Sequence, residues 1–186
     1  IIFFFLELYK SVPLILDDKE LILDLIEITN GDVYYYLSNE FKNDLEILEA
    51  ALKKNEDVCY YVNVDDPNVL DFIKNHVMEY PIFISRVPNL ITDKESALKL
   101  IHYRDGFIYS YLPDDLKNDF DICSAVLEFS ARKIFDFPST MPDFKKLVIK
   151  ALEKDGTIIL SISSVITLDE DIVISAIKTY PAALFN

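Results

Sequence analysis

The chain has 186 residues, with 18 basic and 32 acidic side chains, a formal net charge of −14 and a hydrophobic fraction of 51%. That fraction indicates a packed protein rather than a disordered one, and the acidity argues against binding nucleic acid or an anionic membrane, since both are polyanions. Glycine occurs three times against about thirteen for average usage, so phosphate-cradling loops, dinucleotide fingerprints and glycine-rich hairpins lack the backbone they need.

The chain opens on Ile1-Ile2-Phe3-Phe4-Phe5-Leu6 and meets Glu7 immediately after. Six apolar residues without a basic region before them make neither a secretory signal nor a membrane span, so a buried helix is expected. There is no initiator methionine, which leaves an upstream targeting signal open. Residues 1–16 read as the tail of an earlier unit, and residues 180–185 stop inside another. A longer array, with uncapped ends able to self-associate, is the expectation. Cys59 and Cys123 stand far apart among apolar residues, with no disulfide or zinc spacing, and this predicts core positions in a reducing, cytoplasmic setting.

Internal periodicity comes next. An acidic residue precedes an amphipathic run at Asp18, Asp44, Asp66, Asp93, Asp119, Asp143 and Asp169, with separations of 26, 22, 27, 26, 24 and 26 residues. Positions three, four, seven and eight after a start are mostly apolar, as in Leu21, Ile22, Leu25 and Ile26, or Ile122, Cys123, Val126 and Leu127. That stripe predicts an amphipathic helix. The residues just before the starts (Asp17, Asn43, Asp65, Thr92, Asn118) are capping types. Glu20, Glu46, Asn68, Glu95 and Asp121, three residues beyond them, complete a capping-box-like pattern in four of five cases.

Gly31, Gly106 and Gly156 each lie thirteen residues after a start, where a left-handed residue would end the helix. Prolines avoid the predicted first helices, as their cost of roughly 3 kcal/mol in a helix interior requires. The second segments, such as Val33-Tyr34-Tyr35-Tyr36-Leu37, Val58-Cys59-Tyr60-Tyr61-Val62 and Thr157-Ile158-Ile159-Leu160, have strand-like composition. Phe41 and Leu116 nevertheless follow Leu37 and Leu112 at helical spacing. A short second helix is therefore favoured, giving an all-α solenoid of about seven helix-turn-helix units of ~26 residues in one continuous domain over 1–186. An α/β horseshoe is the alternative.

These residues resemble a known family. Asp-x-Glu, an amphipathic run, Asn/Asp-Gly, an aliphatic-aromatic segment and then Leu37-Ser-Asn-Glu-Phe-Lys-Asn-Asp44 or Leu112-Pro-Asp-Asp-Leu-Lys-Asn-Asp119 is similar to the repeat of domain-of-unknown-function family 4116. The resemblance covers nearly the whole chain and is best in the units from Asp18 and Asp93. Units from Asp66 and Asp119 lack the glycine and carry extra prolines. What the resemblance implies is architecture; it carries no activity, cofactor or catalytic residue.

Little in the chain points to chemistry. His76 and His102 have no second histidine or cysteine nearby. The pairs Asp17-Asp18, Asp65-Asp66 and Asp114-Asp115 and the run Asp169-Glu170-Asp171 lie at unit junctions, where helix capping accounts for them. No catalytic, cofactor or metal site is predicted. Tyrosine is the outlier: Tyr34, Tyr35, Tyr36, Tyr60, Tyr61, Tyr109 and Tyr111 fall in second segments, and stacked units could align them into a partner-binding strip. Residues 1–93 carry 7 basic and 18 acidic side chains, or −11, against −3 for the remainder. The function expected is a non-catalytic protein-interaction scaffold with a basic protein partner. An acidic nucleic-acid mimic, and a regulatory arm of an enzyme or a carboxylate hydrolase, are the alternatives.

Overall fold

Six of the seven predicted starts turn out to cap a helix with their side chains. In the computed structural model residues 18–87, 89–162 and 169–185 are described, and among them every regular element is helical. The expected partial unit over 1–16 lies outside them. No helix of the described residues is long and apolar enough to cross a membrane.

The chain divides into two compact units, residues 1–90 and 91–186. The first contains α1 (Lys19–Thr29), the 3-10 helix η1 (Asp32–Tyr36), α2 (Asn39–Lys42), α3 (Leu45–Lys54), η2 (Glu56–Tyr61), α4 (Pro67–His76) and η3 (Pro81–Ser85). The second contains α5 (Lys94–Leu100), η4 (Phe107–Tyr111), α6 (Asp114–Lys117), α7 (Phe120–Val126), η5 (Ala131–Asp136), α8 (Phe144–Lys154), η6 (Gly156–Ser161), α9 (Glu170–Thr179) and η7 (Pro181–Phe185). The strand alternative is overturned. All the second segments are 3-10 helices, and those in α-helical spacing with Phe41 and Leu116 are cut off from them by extended residues, Leu37 (ψ 152) and Leu112 (ψ 152). A 3-10 helix turns once per three residues, so it can bury Val33 and Tyr34 and, at its cap, Leu37 against one core.

The aspartates are the helix caps themselves, not the residues before them. Asp18, Asp44, Asp66 and Asp119 each accept two backbone N–H groups at 2.9–3.4 Å. Asp93 accepts from Ser96 at 2.8 Å and Asp169 from Asp171 at 3.1 Å. Each such cap satisfies N–H groups the helix cannot, an effect of about 1 kcal/mol. Asp143 departs: its φ is 62, its side chain makes no cap bond, and the buried stripe behind it (Leu147, Val148, Ala151, Leu152) is displaced by one residue from that behind Asp44 (Ile47, Leu48, Ala51, Leu52).

Two of the acids expected to close capping boxes, Glu46 and Asp121, instead pair with a lysine of the preceding helix, while Glu95 pairs with Lys99 in its own. Lys19 reaches Asp44 at 2.7 Å and Glu46 at 2.8 Å. In the second unit Lys94 reaches Asp119 at 2.9 Å and Asp121 at 2.5 Å, and Lys145 reaches Asp169 at 2.9 Å and Asp171 at 2.7 Å. A lysine at the start of one helix thus grips the capped end of the next, which the N-terminal helix dipole favours because it concentrates carboxylates there. Within each unit consecutive helices pack: α1 on α3 and α3 on α4, then α5 on α7, α7 on α8 and α8 on α9.

Two glycines have the expected left-handed backbone, Gly31 (φ 85) and Gly106 (φ 80), and both cap the following 3-10 helix. Gly156 does not. It is the first residue inside η6 and lies outside the positive-φ set, so the shared phase read from sequence is not a shared conformation. What the three share is a neighbour. A Cβ on Gly31 would meet the carbonyl O of Ala51, on Gly106 the side chain of Val126, and on Gly156 the carbonyl O of Ala176. Each neighbour stands seven residues after the next capping aspartate.

The caps also set the acid limb of stability. For Asp44 burial alone would raise the pKa, but the Lys19 ammonium and the amides of Ile47 and Glu46 outweigh it and hold the carboxyl below its ordinary 3.8. Asp119 behaves alike, with Lys94 and the Ile122 amide prevailing over burial. Asp93 is lowered by the Ser96 amide and hydroxyl, and Asp169 by Lys145. Carboxylates with depressed folded pKa values stabilise the fold above the unfolded value and lose that contribution as pH falls through the folded one. The urea midpoint should therefore hold from neutrality down to the upper edge of carboxylate titration and drop below it. Asp44→Asn, which keeps a capping oxygen but cannot titrate, should shallow that drop; a midpoint independent of pH between 7 and 2.5 would contradict the assignment.

Candidate interaction surface

The seven tyrosines of the predicted strip separate into core and surface. Tyr34 is fully buried, and its hydroxyl donates to the Lys42 carbonyl at 2.9 Å, at the C-terminal end of α2. Tyr109 repeats this in the second unit, donating to the Lys117 carbonyl of α6 at 3.1 Å. Burial pushes both phenols well above the usual tyrosine range. Their hydroxyls hold short helices in place, so neither can be part of an exposed strip.

Tyr35, Tyr60, Tyr61 and Tyr111 are exposed and Tyr36 is half-buried. Three of these gather in the first unit, where η1 lies against η2. The Tyr35 ring meets Tyr61 edge-to-face at 4.6 Å and Tyr36 at 4.8 Å. Lys42 Nζ donates to the Tyr35 carbonyl at 3.0 Å and lies 6.0 Å from the centre of its ring. Tyr60 makes no ring contact to this group; its carbonyl accepts from Arg86 at 2.7 Å. Tyr111 lies in the second unit, 5.0 Å from Phe107.

Beside the tyrosine group is an open depression of about 320 Å³, walled by Tyr35, Tyr36 and Tyr61 and flanked by Asp32, Asn55 and Asp57. Asn55 ties its two sides together. The Asn55 side-chain oxygen accepts the Asp57 N–H at 3.0 Å, while its amide nitrogen is 3.4 Å from the Asp32 carboxylate. Asn55 can span the two 3-10 helices because it caps η2 in extended conformation.

Sequence reasoning passed over two residues of the same kind. Phe135 in η5 and Leu160 in η6 are exposed large apolar side chains. They stand sixteen and seventeen residues after Asp119 and Asp143, as Tyr60 and Tyr61 stand sixteen and seventeen after Asp44. Their signal was position in the unit, hidden by a search for tyrosine alone.

The remaining candidate groups have structural partners. His76 stacks on Phe72 at 4.1 Å and its Nδ1 lies 2.8 Å from the Phe72 carbonyl; His102 meets Phe129 edge-on at 5.4 Å. Cys59 and Cys123 are both buried. Burial pushes the Cys123 thiol up to about 11, and its Sγ donates to the Lys117 carbonyl at 3.1 Å. Among the described residues no group of three or more His, Cys, Asp or Glu side chains could hold a metal ion.

No curated protein and no solved structure matches the chain. Residues 18–65, which hold α1 to η2 and with them the tyrosine group, match the family model described as domain of unknown function (DUF4116), the family that the repeat pattern resembles.

Proposed function

We propose that the chain is a non-catalytic protein-interaction scaffold, an α-solenoid of about seven units of ~26 residues, each an α-helix followed by a 3-10 helix. The observation that carries this reading is that exposed large apolar side chains, though also present on α-helices as at Ile28 and Ile174, recur on the 3-10 helices η1, η2, η4, η5 and η6. Tyr35 and Tyr61 are those of the first unit, and Tyr111, Phe135 and Leu160 those of the second. Scattered apolar exposure is ordinary; recurrence on the same element is what a partner surface needs. The carboxylates, by contrast, recur as helix caps. Aromatic side chains suit such a surface because they bring large contact area with little conformational freedom to lose.

The test is affinity capture from native lysate with three forms of the protein. Wild type and Ile28→Ala, which alters an exposed apolar residue of α1 (71% exposed), should retain the same partner. Tyr35→Ala/Tyr61→Ala should lose at least tenfold of it, the loss typical of a hot-spot pair. Equal retention by all three would remove the 3-10 surface from the reading.

A further inference from the structure

We propose that the tyrosine-walled depression of the first unit receives the guanidinium group of an arginine carried by the partner. This rests on the scaffold reading above and names the chemistry of one of its contacts. At about 320 Å³ the depression is at the small end of ligand sites, which run from about 300 to 1,000 Å³. It fits one long side chain rather than a cofactor.

Its lining selects charge sign. Asp32 and Asp57 flank it, Tyr35, Tyr36 and Tyr61 wall it, and none of the residues lining it is basic. Aromatic faces carry negative potential, so rings and carboxylates favour the same kind of guest, a cation. The chain supplies an internal precedent, since the Lys42 ammonium already lies over the Tyr35 ring.

Its shape selects among cations. Tyr35 and Tyr61 meet at an interplanar angle of 82°, and Tyr35 and Tyr36 at 87°. Rings set at right angles offer a face and an edge rather than a closed box. A planar guanidinium can lie on the face and still direct its N–H fork at a carboxylate, whereas an ammonium is a point charge without that fork. Asn55 donates its side-chain amide to the Asp32 carboxylate at 3.4 Å and accepts the Asp57 backbone N–H at 3.0 Å, which ties the Asp32 carboxylate to the turn that carries Asp57. Two carboxylates supply fewer protein oxygens than the roughly six to eight a calcium ion takes.

The probe is a capped pentapeptide, Ala-Ala-Arg-Ala-Ala, compared with versions carrying lysine, proline or the neutral isostere citrulline. Ring-labelled tyrosine resonances of the full chain are the readout. The arginine peptide should shift Tyr35 and Tyr61 but not Tyr111, lysine should bind several-fold more weakly, and citrulline and proline at least tenfold more weakly. Asp32→Asn should weaken the arginine peptide at least tenfold, and Met78→Ala should leave it unchanged. Equal binding of citrulline, stronger binding of proline, or shifts confined to Tyr111 would overturn the proposal. If Tyr35→Ala/Tyr61→Ala loses the lysate partner while the arginine peptide shows no binding, the scaffold reading stands and the guanidinium assignment falls. If that variant keeps the partner, the scaffold reading falls at this surface whatever the peptide does.

Discussion

Replacing Gly156 by alanine should destabilise the second unit by about 3 kcal/mol, the upper range for forcing an atom into packed surroundings. A Cβ there would stand 2.4 Å from the Ala176 carbonyl O, 2.5 Å from Thr179 Oγ1 and 2.8 Å from Tyr180 Cβ. None of these can easily move aside. The Ala176 carbonyl is held by the Tyr180 N–H at 2.8 Å, and the Thr179 hydroxyl ties α9 to α8 by donating to Leu152 O at 2.8 Å. The added methyl must push α9 away from α8 and η6. Gly106 is the control, because its cause is the opposite one. There the nearest atom to a Cβ is a flexible ring carbon of Phe129 at 3.4 Å, but φ is +80. Gly106→Ala should cost roughly 1–2 kcal/mol, the strain of a left-handed L-residue. Asparagine separates the two mechanisms, since it tolerates the left-handed region better than alanine but is larger. Gly106→Asn should be milder than Gly106→Ala, and Gly156→Asn harsher than Gly156→Ala. Urea denaturation of the four variants measures this; the same order at both sites would show that one mechanism governs both.

How far the sequence could be read depends on the range of each interaction. The caps were legible because an aspartate acts on N–H groups two and three residues away, so chain position alone places Asp18, Asp44, Asp66, Asp93, Asp119 and Asp169 at helix starts. Lys19, Lys94 and Lys145 were not legible as ties, since their partners are about one unit away and become neighbours only when helices pack. Segments such as Val58-Cys59-Tyr60-Tyr61-Val62 have a composition that suits a strand, a turn of α-helix or a 3-10 helix equally. Burial of Val58, Cys59 and Val62 on one side settles it, and burial depends on the neighbouring segment. The one-residue displacement behind Asp143 shows the same limit: counting from an aspartate assumed that it caps, and this one does not. The matched pair from Leu37 and Leu112 held a further signal. Tyr34 and Lys42, like Tyr109 and Lys117, are eight residues apart and bonded.

Tyr34 and Tyr35 are adjacent and chemically identical, yet their replacement should have unlike effects. Tyr34→Ala empties a fully buried site in the first unit and should cost about 3–5 kcal/mol, the range for deleting a buried aromatic ring. Tyr35→Ala removes a ring that is 50% exposed and should change stability by no more than about 0.5 kcal/mol. Tyr34→Phe keeps the ring and loses only the bond to the Lys42 carbonyl, for about 1 kcal/mol. Tyr109→Phe should cost less, because the Lys117 carbonyl also accepts from Cys123 Sγ at 3.1 Å and so keeps a donor. The difference decides how binding data can be used. A Tyr34 variant that loses a partner reports a damaged fold, whereas Tyr35 and Tyr61 report the surface. Paired measurements of melting temperature and partner capture settle the assignment. Tyr34→Ala should lose both, Tyr35→Ala/Tyr61→Ala only the partner, and a Tyr34→Ala protein that melts like wild type would show that this ring is not the core residue its burial makes it.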